Sequence, residues 1–251
     1  MLQLICPDIQ LPKTSVRRKF REIENHLTRL SDEIAKVAAL EALVGLEVRT
    51  ALQLVRAGNP DTKTRAILFR PAVEPILLLH GERVCSDLFN PIDALAMACS
   101  LTGRELTVRS ERCFGRSALG QVEFEAPERT RLWFPEIKAI IGNEAMGIAA
   151  SAAIFARTIT SHPYSDGNGR FARALTHAVL LRKRSRPIAP IALAPAVYGK
   201  RDELSHALVD LCRTGVWDRY YETFIGTLEA AIAIAQPFRE ELLARNTAQR
   251  S

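Results

Sequence analysis

The sequence predicts an all-α protein, a helical bundle interrupted by one small β-hairpin. Two observations carry that prediction. Apolar residues recur at alternating intervals of three and four through most of the chain, which is the period of one helix face. The stretch from 104 to 127 breaks this period and shows two brief alternating runs on either side of a glycine. A length of 251 residues, 47% of them hydrophobic, suffices for one large domain with a sizeable core. No internal repeat or low-complexity segment is present.

The elements follow in order. From Ser15 to about Arg56 a long helix is expected, with Ile23, Leu27, Leu30, Ile34, Val37, Val44, Val48, Leu52 and Val55 on its apolar stripe. Gly58-Asn59-Pro60 stops it. Residues 61 to 81, with Pro71 and Pro75, read as turns and short helices. Pro91 opens a helix that runs to Leu101 and is closed by Gly103. Arg116–Leu119 and Val122–Glu125 read as a hairpin turning at Gly120-Gln121. Helices resume from about Arg129 to Ile141. Met146–Ile159 is apolar on most sides, so it belongs at the centre of the domain, and Asn168–Arg182 is similar. Leu204, Leu208, Leu211 and Cys212 mark another helix. Trp217, Tyr220, Phe224, Leu228 and Ala231 mark the last, with a charged tail after Pro237 expected to fray. The organisation expected is an N-terminal helical region over 1–103, a core over 104–235 and a tail over 236–251.

The net charge of +6 favours acidic partners. The basic clusters Arg17-Arg18-Lys19 and Arg182-Lys183-Arg184 read as solvated helix ends. Neither is interleaved with aromatics, so a nucleic-acid partner is not expected. Cys6, Cys85, Cys99, Cys113 and Cys212 are odd in number and widely spaced, with no CxxC. They read as buried free thiols of a reducing compartment. The start of the chain lacks the pattern of a signal peptide, and no apolar run approaches the roughly 18 residues that span a bilayer. A cytoplasmic protein with no membrane partner is therefore expected; a specialised secretion system would leave no mark in such a start.

One loop concentrates chemistry: Ser161-His-Pro-Tyr-Ser-Asp166-Gly-Asn-Gly-Arg170-Phe-Ala-Arg173, wedged between two apolar helices. Gly167 and Gly169 permit unusual backbone dihedrals and close approach to a ligand. They lead into a helix start, where N–H groups and the dipole favour anions. Arg170 and Arg173, three apart, project from one face of the first turn and repel each other unless an anion lies between them. Asp166 is a hard oxygen donor suited to Mg²⁺ bridging phosphates. His162 can accept a proton near neutral pH. Taken singly, a His-Pro loop is usually structural, Gly-Asn-Gly is usually a turn, and an Asp before a helix is usually a cap. The ordered set describes a site for phosphoryl or nucleotidyl transfer.

The segment His162–Arg173 resembles the signature of the Fic family (filamentation induced by cAMP), HxFx(D/E)GNGRxxR. Tyr164 stands where the family has Phe. Val122–Pro127 resembles the second strand of the family's flap and the stretch after it. Pro187–Pro190 and Arg201–Glu203 resemble the segment that lines the family's nucleotide pocket. The resemblance spans about residues 104 to 230 and implies a Fic-like helical bundle with a hairpin flap. It implies an adenylyltransferase that moves AMP from ATP to a Ser, Thr or Tyr hydroxyl of a target protein and releases pyrophosphate. By the same resemblance His162 deprotonates the hydroxyl and Asp166 holds Mg²⁺. Asn168, with the amides around Gly167 and Gly169, cradles the α-phosphate; Arg170 and Arg173 hold the outer phosphates. The flap over Ser117–Glu123 pairs with a strand of the target.

Many members of the family are restrained by a glutamate in the pattern S/TxxxE(G/N). No Glu in this chain has that pattern intact; Glu111, four after Thr107, is followed by Arg112. Glu41 falls on the apolar stripe of the first helix and is a candidate to pair with Arg173. Glu47 lies about 100° around that helix and is a second candidate. Restraint by a separate small antitoxin-like protein is the alternative. Two rival functions stay open: UMP or phosphate transfer on the same fold, and a nucleotide-binding module without catalysis.

Overall fold

The computed structural model describes residues 2–34, 84, 86, 88–117, 119–182 and 191–248. Among these, helices dominate and one small sheet is present, as the sequence predicts. The elements are β1 (Leu2–Gln3), α1 (Thr14–Ile34), α2 (Pro91–Thr102), β2 (Phe114–Ser117), β3 (Gly120–Glu123), α3 (Pro127–Gly142), α4 (Ala149–Ser161), α5 (Asn168–Arg182), α6 (Leu193–Gly199), α7 (Arg201–Thr214) and α8 (Trp217–Ala248). The first helix begins where its periodicity does, and Ile23 and Leu27 are buried as expected. The parts of the N-terminal reading that fall on 35–83 lie outside the described residues.

Local chemistry explains the ends of α2. Asn90 caps the N-terminus, its Oδ1 accepting from Ile92 N at 2.9 Å and Asp93 N at 3.1 Å, with Pro91 in the first turn. Gly103 ends the helix in the left-handed conformation at φ 65°, donating its N–H to Cys99 O. This stop aims the following segment at the loop between α4 and α5.

Those two helices form the centre. α4 is buried on nearly every side, and Phe171, Ala172, Ala174, Leu175, Ala178 and Val179 of α5 pack into the same core. α8 covers them from the other side: Phe224 sits 5.6 Å from Phe155, and the Tyr220 hydroxyl donates to Ala152 O at 3.0 Å. The N-terminal segment is tied along α8 by Trp217 Nε1 to Asp8 O at 2.8 Å and by the Tyr221 hydroxyl to Gln10 O at 2.9 Å. Cys6 is buried and its thiol is pushed up to about 12 by that burial; Cys99, Cys113 and Cys212 are half-buried and free.

Three details depart from the sequence reading. The hairpin turns two residues earlier than expected, pairing Ser117 with Gly120 and Phe114 with Glu123. The Ser117 hydroxyl stabilises that turn: its Oγ accepts from Leu119 N at 3.1 Å and donates to Gly120 O, while Gly120 takes φ 106°. A third strand, β1, lies parallel to β3, with Leu2 opposite Val122 and Leu4 N donating to Glu123 O at 2.7 Å. Two residues carry too little periodicity to read as a strand. Finally, α8 runs unbroken past Pro237 to Ala248, where a frayed tail is expected.

Candidate active site

The candidate site forms where α4 ends and α5 begins. α4 terminates at His162, which takes the left-handed conformation at φ 49°, ψ 58° and donates its N–H to Thr158 O. It is the one non-glycine residue at positive φ among those described. That conformation costs about 1–2 kcal/mol, so the surroundings must impose it. They do so by pairing the loop with the segment after α2. Arg109 N donates to Pro163 O at 2.8 Å, Ser165 N to Thr107 O at 3.0 Å, and Thr107 N to Ser165 Oγ at 3.3 Å.

Tyr164 is buried and anchors the loop in an aromatic cluster, 5.1 Å from Phe171 and 6.0 Å from Trp133. The ring performs the packing that Phe would. Asn168, the first residue of α5, is buried and closes the loop: Tyr164 N donates to its Oδ1 at 2.9 Å, and its Nδ2 donates to Tyr164 O at 2.8 Å. Its side chain therefore holds the loop shut, and what it offers a ligand is backbone.

Gly167 takes φ 73°, and a Cβ there would lie 2.3 Å from Thr102 Cγ2. Both conformation and space demand glycine. Gly169 is helical, and an added Cβ would meet the Arg173 Nη1 at 3.6 Å, an ordinary contact, so neither conformation nor space demands glycine there. Arg170 reaches the end of α2, donating to Leu101 O at 3.2 Å. Asp166 is half exposed. Its Oδ1 accepts from Gly167 N at 2.6 Å, and its Oδ2 lies 3.5 Å from Arg104 and 4.0 Å from Arg170. The structure thus brings His162, Asp166, Gly167, Gly169, Arg170 and Arg173 around one helix N-terminus. Glu41 and Glu47 lie outside the described residues.

The imidazole of His162 stacks on Phe124, just beyond β3, with centroids 3.9 Å apart and planes at 20°. Its Nδ1 is buried without a hydrogen bond of good geometry. Burial pushes its pKa down from 6.5 to about 4; the Arg109 guanidinium adds to the fall, while the neighbouring Ile159 backbone and the Asp166 carboxylate oppose it.

Sequence reasoning missed the support beneath this site. Arg109, buried, donates Nε to His162 O at 2.9 Å, Nη1 to Glu111 O at 2.7 Å, and Nη2 to Ser161 O and Glu125 O. Glu125, fully buried, accepts from Cys6 N at 3.0 Å and from the Ser161 hydroxyl at 3.1 Å, and pairs with Arg157, which also pairs with Glu136. Burial alone would lower the Arg157 pKa, but Glu125 and then Glu136 raise it above the usual value, so the guanidinium stays charged. Beside Phe124 lies a largely apolar cavity of about 190 Å³, walled also by Ile159, Val197, Arg201 and Leu204.

The class that this fold and site define is the Fic fold, a helical bundle with the motif loop between two central helices under a small flap. Residues 86–180 match the model of the Fic/DOC family, whose members commonly carry out AMPylation or related nucleotidyl transfer. Among solved structures, the chain is similar to a Fic family protein from Desulfovibrio desulfuricans G20. That match has a TM-score of 0.63 and 16% identity and covers 91% of this chain and 77% of that one. It is also similar to a fragment of C. elegans Fic-1, with a TM-score of 0.56, 15% identity, and coverage of 90% and 74%. At these identities the likeness is one of fold. No curated protein matches the chain. No described helix is long and apolar enough to cross a membrane.

Proposed function

We propose that the protein transfers AMP from ATP to a hydroxyl side chain of a target protein, releasing pyrophosphate. One observation carries the reading: an imidazole stacked against the foot of the flap stands at a glycine-cornered helix N-terminus that also carries Arg170 and Arg173. A nucleotide-binding module needs the cradle but has no use for the base.

In this reading the first-turn N–H groups of α5 face the α-phosphate oxygens. Arg170 and Arg173 neutralise the outer phosphates. The target hydroxyl gives its proton to His162 Nε2, its oxygen attacks the α-phosphorus, and pyrophosphate leaves. Burial keeps the imidazole in the unprotonated form that a base starts from, and phosphates brought beside it raise its proton affinity. The apolar cavity beside Phe124 suits a nucleobase. Asp166 offers one accessible carboxylate among guanidinium groups, and the described residues contain no cluster of three metal-ligating side chains. That donor set fits a Mg²⁺ whose other ligands are phosphate oxygens and water, and not a protein-enclosed ion. Bound there, Mg²⁺ would neutralise phosphate charge. Among the described residues no strand pairs with the outer edge of β2, so a target strand would add there. Restraint belongs to the same proposal: Glu41 paired with Arg173 would obstruct the γ-phosphate position, and Glu41→Gly would then raise modification.

The test is incubation with Mg²⁺, cell lysate and ATP labelled on either the α- or the γ-phosphate. Protein label from α alone supports AMP transfer. Label from γ alone means phosphorylation, label from UTP in place of ATP means UMP transfer, and no label with intact ATP binding means a binding module.

A further inference from the structure

Arg109 lies outside the motif, yet every nitrogen of its side chain is spent on the motif's surroundings. Ser161 and His162 carry the last carbonyls of α4, groups that a helix end leaves without intrahelical partners. Arg109 takes both, through Nη2 at 2.9 Å and Nε at 2.9 Å. Its remaining bonds reach Glu111, three residues before β2, and Glu125, two residues after β3. One planar fork therefore ties both feet of the flap to the backbone of the candidate base. All four acceptors are neutral carbonyls. Of the two carboxylates that act on Arg109, Glu125 and Glu128, the buried Glu125 directs its oxygens to Arg157, Cys6 and Ser161.

We propose that Arg109 is a positioning residue for group transfer, fixing His162 in its left-handed backbone conformation and setting the distance between flap and base. The inference rests on the proposed role of His162. An ammonium on a flexible stem cannot occupy four carbonyls around a plane, so Lys keeps the charge and loses the geometry. Gln keeps neither. Two charged groups act on the His162 ring, Arg109 from the segment after α2 and Asp166 from the motif loop; the other neighbours are the Phe124 ring and the Ile159 backbone. The two variants therefore separate position from charge.

The experiment compares full-length wild type, Arg109→Lys and Arg109→Gln. ATP affinity is read by calorimetry, kcat and KM by transfer of α-label, and the His162 imidazole by ¹H–¹⁵N NMR across pH. In Arg109→Lys, ATP affinity should stay within about twofold while kcat falls on the order of 10²-fold, the effect of a base displaced by about an ångström. Its imidazole titration should stay near wild type, while in Arg109→Gln the midpoint should rise. In wild type, the Arg109 Nε–H should exchange slowly and show through-bond coupling to the His162 carbonyl, a reading that needs no variant to fold. A kcat within twofold of wild type in Arg109→Lys, a parallel loss of ATP affinity and kcat, or a fast-exchanging Nε–H would each overturn the proposal. Should wild type transfer no label, the reading of function fails, and the coupling and titration still decide whether Arg109 positions His162.

Discussion

The ring of Phe124 lies flat against the imidazole of His162, centroids 3.9 Å apart, and so joins the last residue of the flap region to the first residue of the motif. The stack covers one face of the imidazole and contributes to the burial that lowers its pKa. Phe124→Leu keeps the apolar wall of the adjoining cavity but loses the flat contact. Transfer should fall about 10- to 100-fold with the fold retained, checked by labelled-AMP transfer alongside circular dichroism. Turnover equal to wild type would show that the stack does not place the base.

His162→Ala should abolish transfer, by about 10²–10⁴ in rate, while ATP binding measured by calorimetry survives. The pH dependence has a definite sign. The folded pKa of about 4 lies below the unfolded value of 6.5. Between these values the unfolded chain binds more protons, so stability falls as pH drops from 6.5 to 4 and this contribution is gone below. Thermal melts of wild type across that window should slope more steeply than those of His162→Ala. Identical slopes would mean that the imidazole is not buried as described.

Gly167 offers a two-part measurement. Gly167→Ala must hold φ 73° and place a methyl 2.3 Å from Thr102 Cγ2. A loss of about 2–4 kcal/mol is expected from strain and overpacking together. Thr102→Ser removes that methyl but keeps the hydroxyl that bonds Ala98 O and Cys99 O. The double variant should recover the steric share and leave the backbone share, as read by denaturant midpoints. Strict additivity of the two substitutions would show that the methyl groups do not meet.

The helices were legible because each buries a face with helical period. α5 begins where its sequence says, at Asn168. The motif was legible because its chemistry is local, within twelve residues. What escaped was everything set by distant pairing. β1 is two residues long, paired with β3, and followed by Leu4, which packs with Val122 and Val209. The hairpin register was displaced because Gly120 suggested the turn centre, whereas the Ser117 hydroxyl set it. Arg109 looks like any surface arginine until α4 supplies two carbonyls more than fifty positions away. Glu125 and Arg157 are buried together, and no local signal separates a buried pair from two exposed charges.

That pair yields the last prediction. Arg157 sits in the middle of α4, and both it and Glu125 are almost without solvent contact. Glu125 in turn holds the Ser161 hydroxyl and the Cys6 amide, so it links the N-terminal segment to the residue before His162. Arg157→Met has similar bulk and removes the cation. It strands the Glu125 carboxylate in the core, and losing one partner of a buried pair costs about 3–5 kcal/mol. The paired change Arg157→Met with Glu125→Gln leaves no fully buried charge stranded, since Glu136, the other partner of Arg157, is partly exposed to water, and it keeps the bonds to Ser161 and Cys6 within reach of an amide. It should regain most of the lost stability in urea titrations. Its transfer rate should track that recovery, because the backbone at Ser161 is restored. A double variant no more stable than Arg157→Met alone would show that the ion pair stabilises the fold directly, and that the cost of the single change is not the stranded carboxylate.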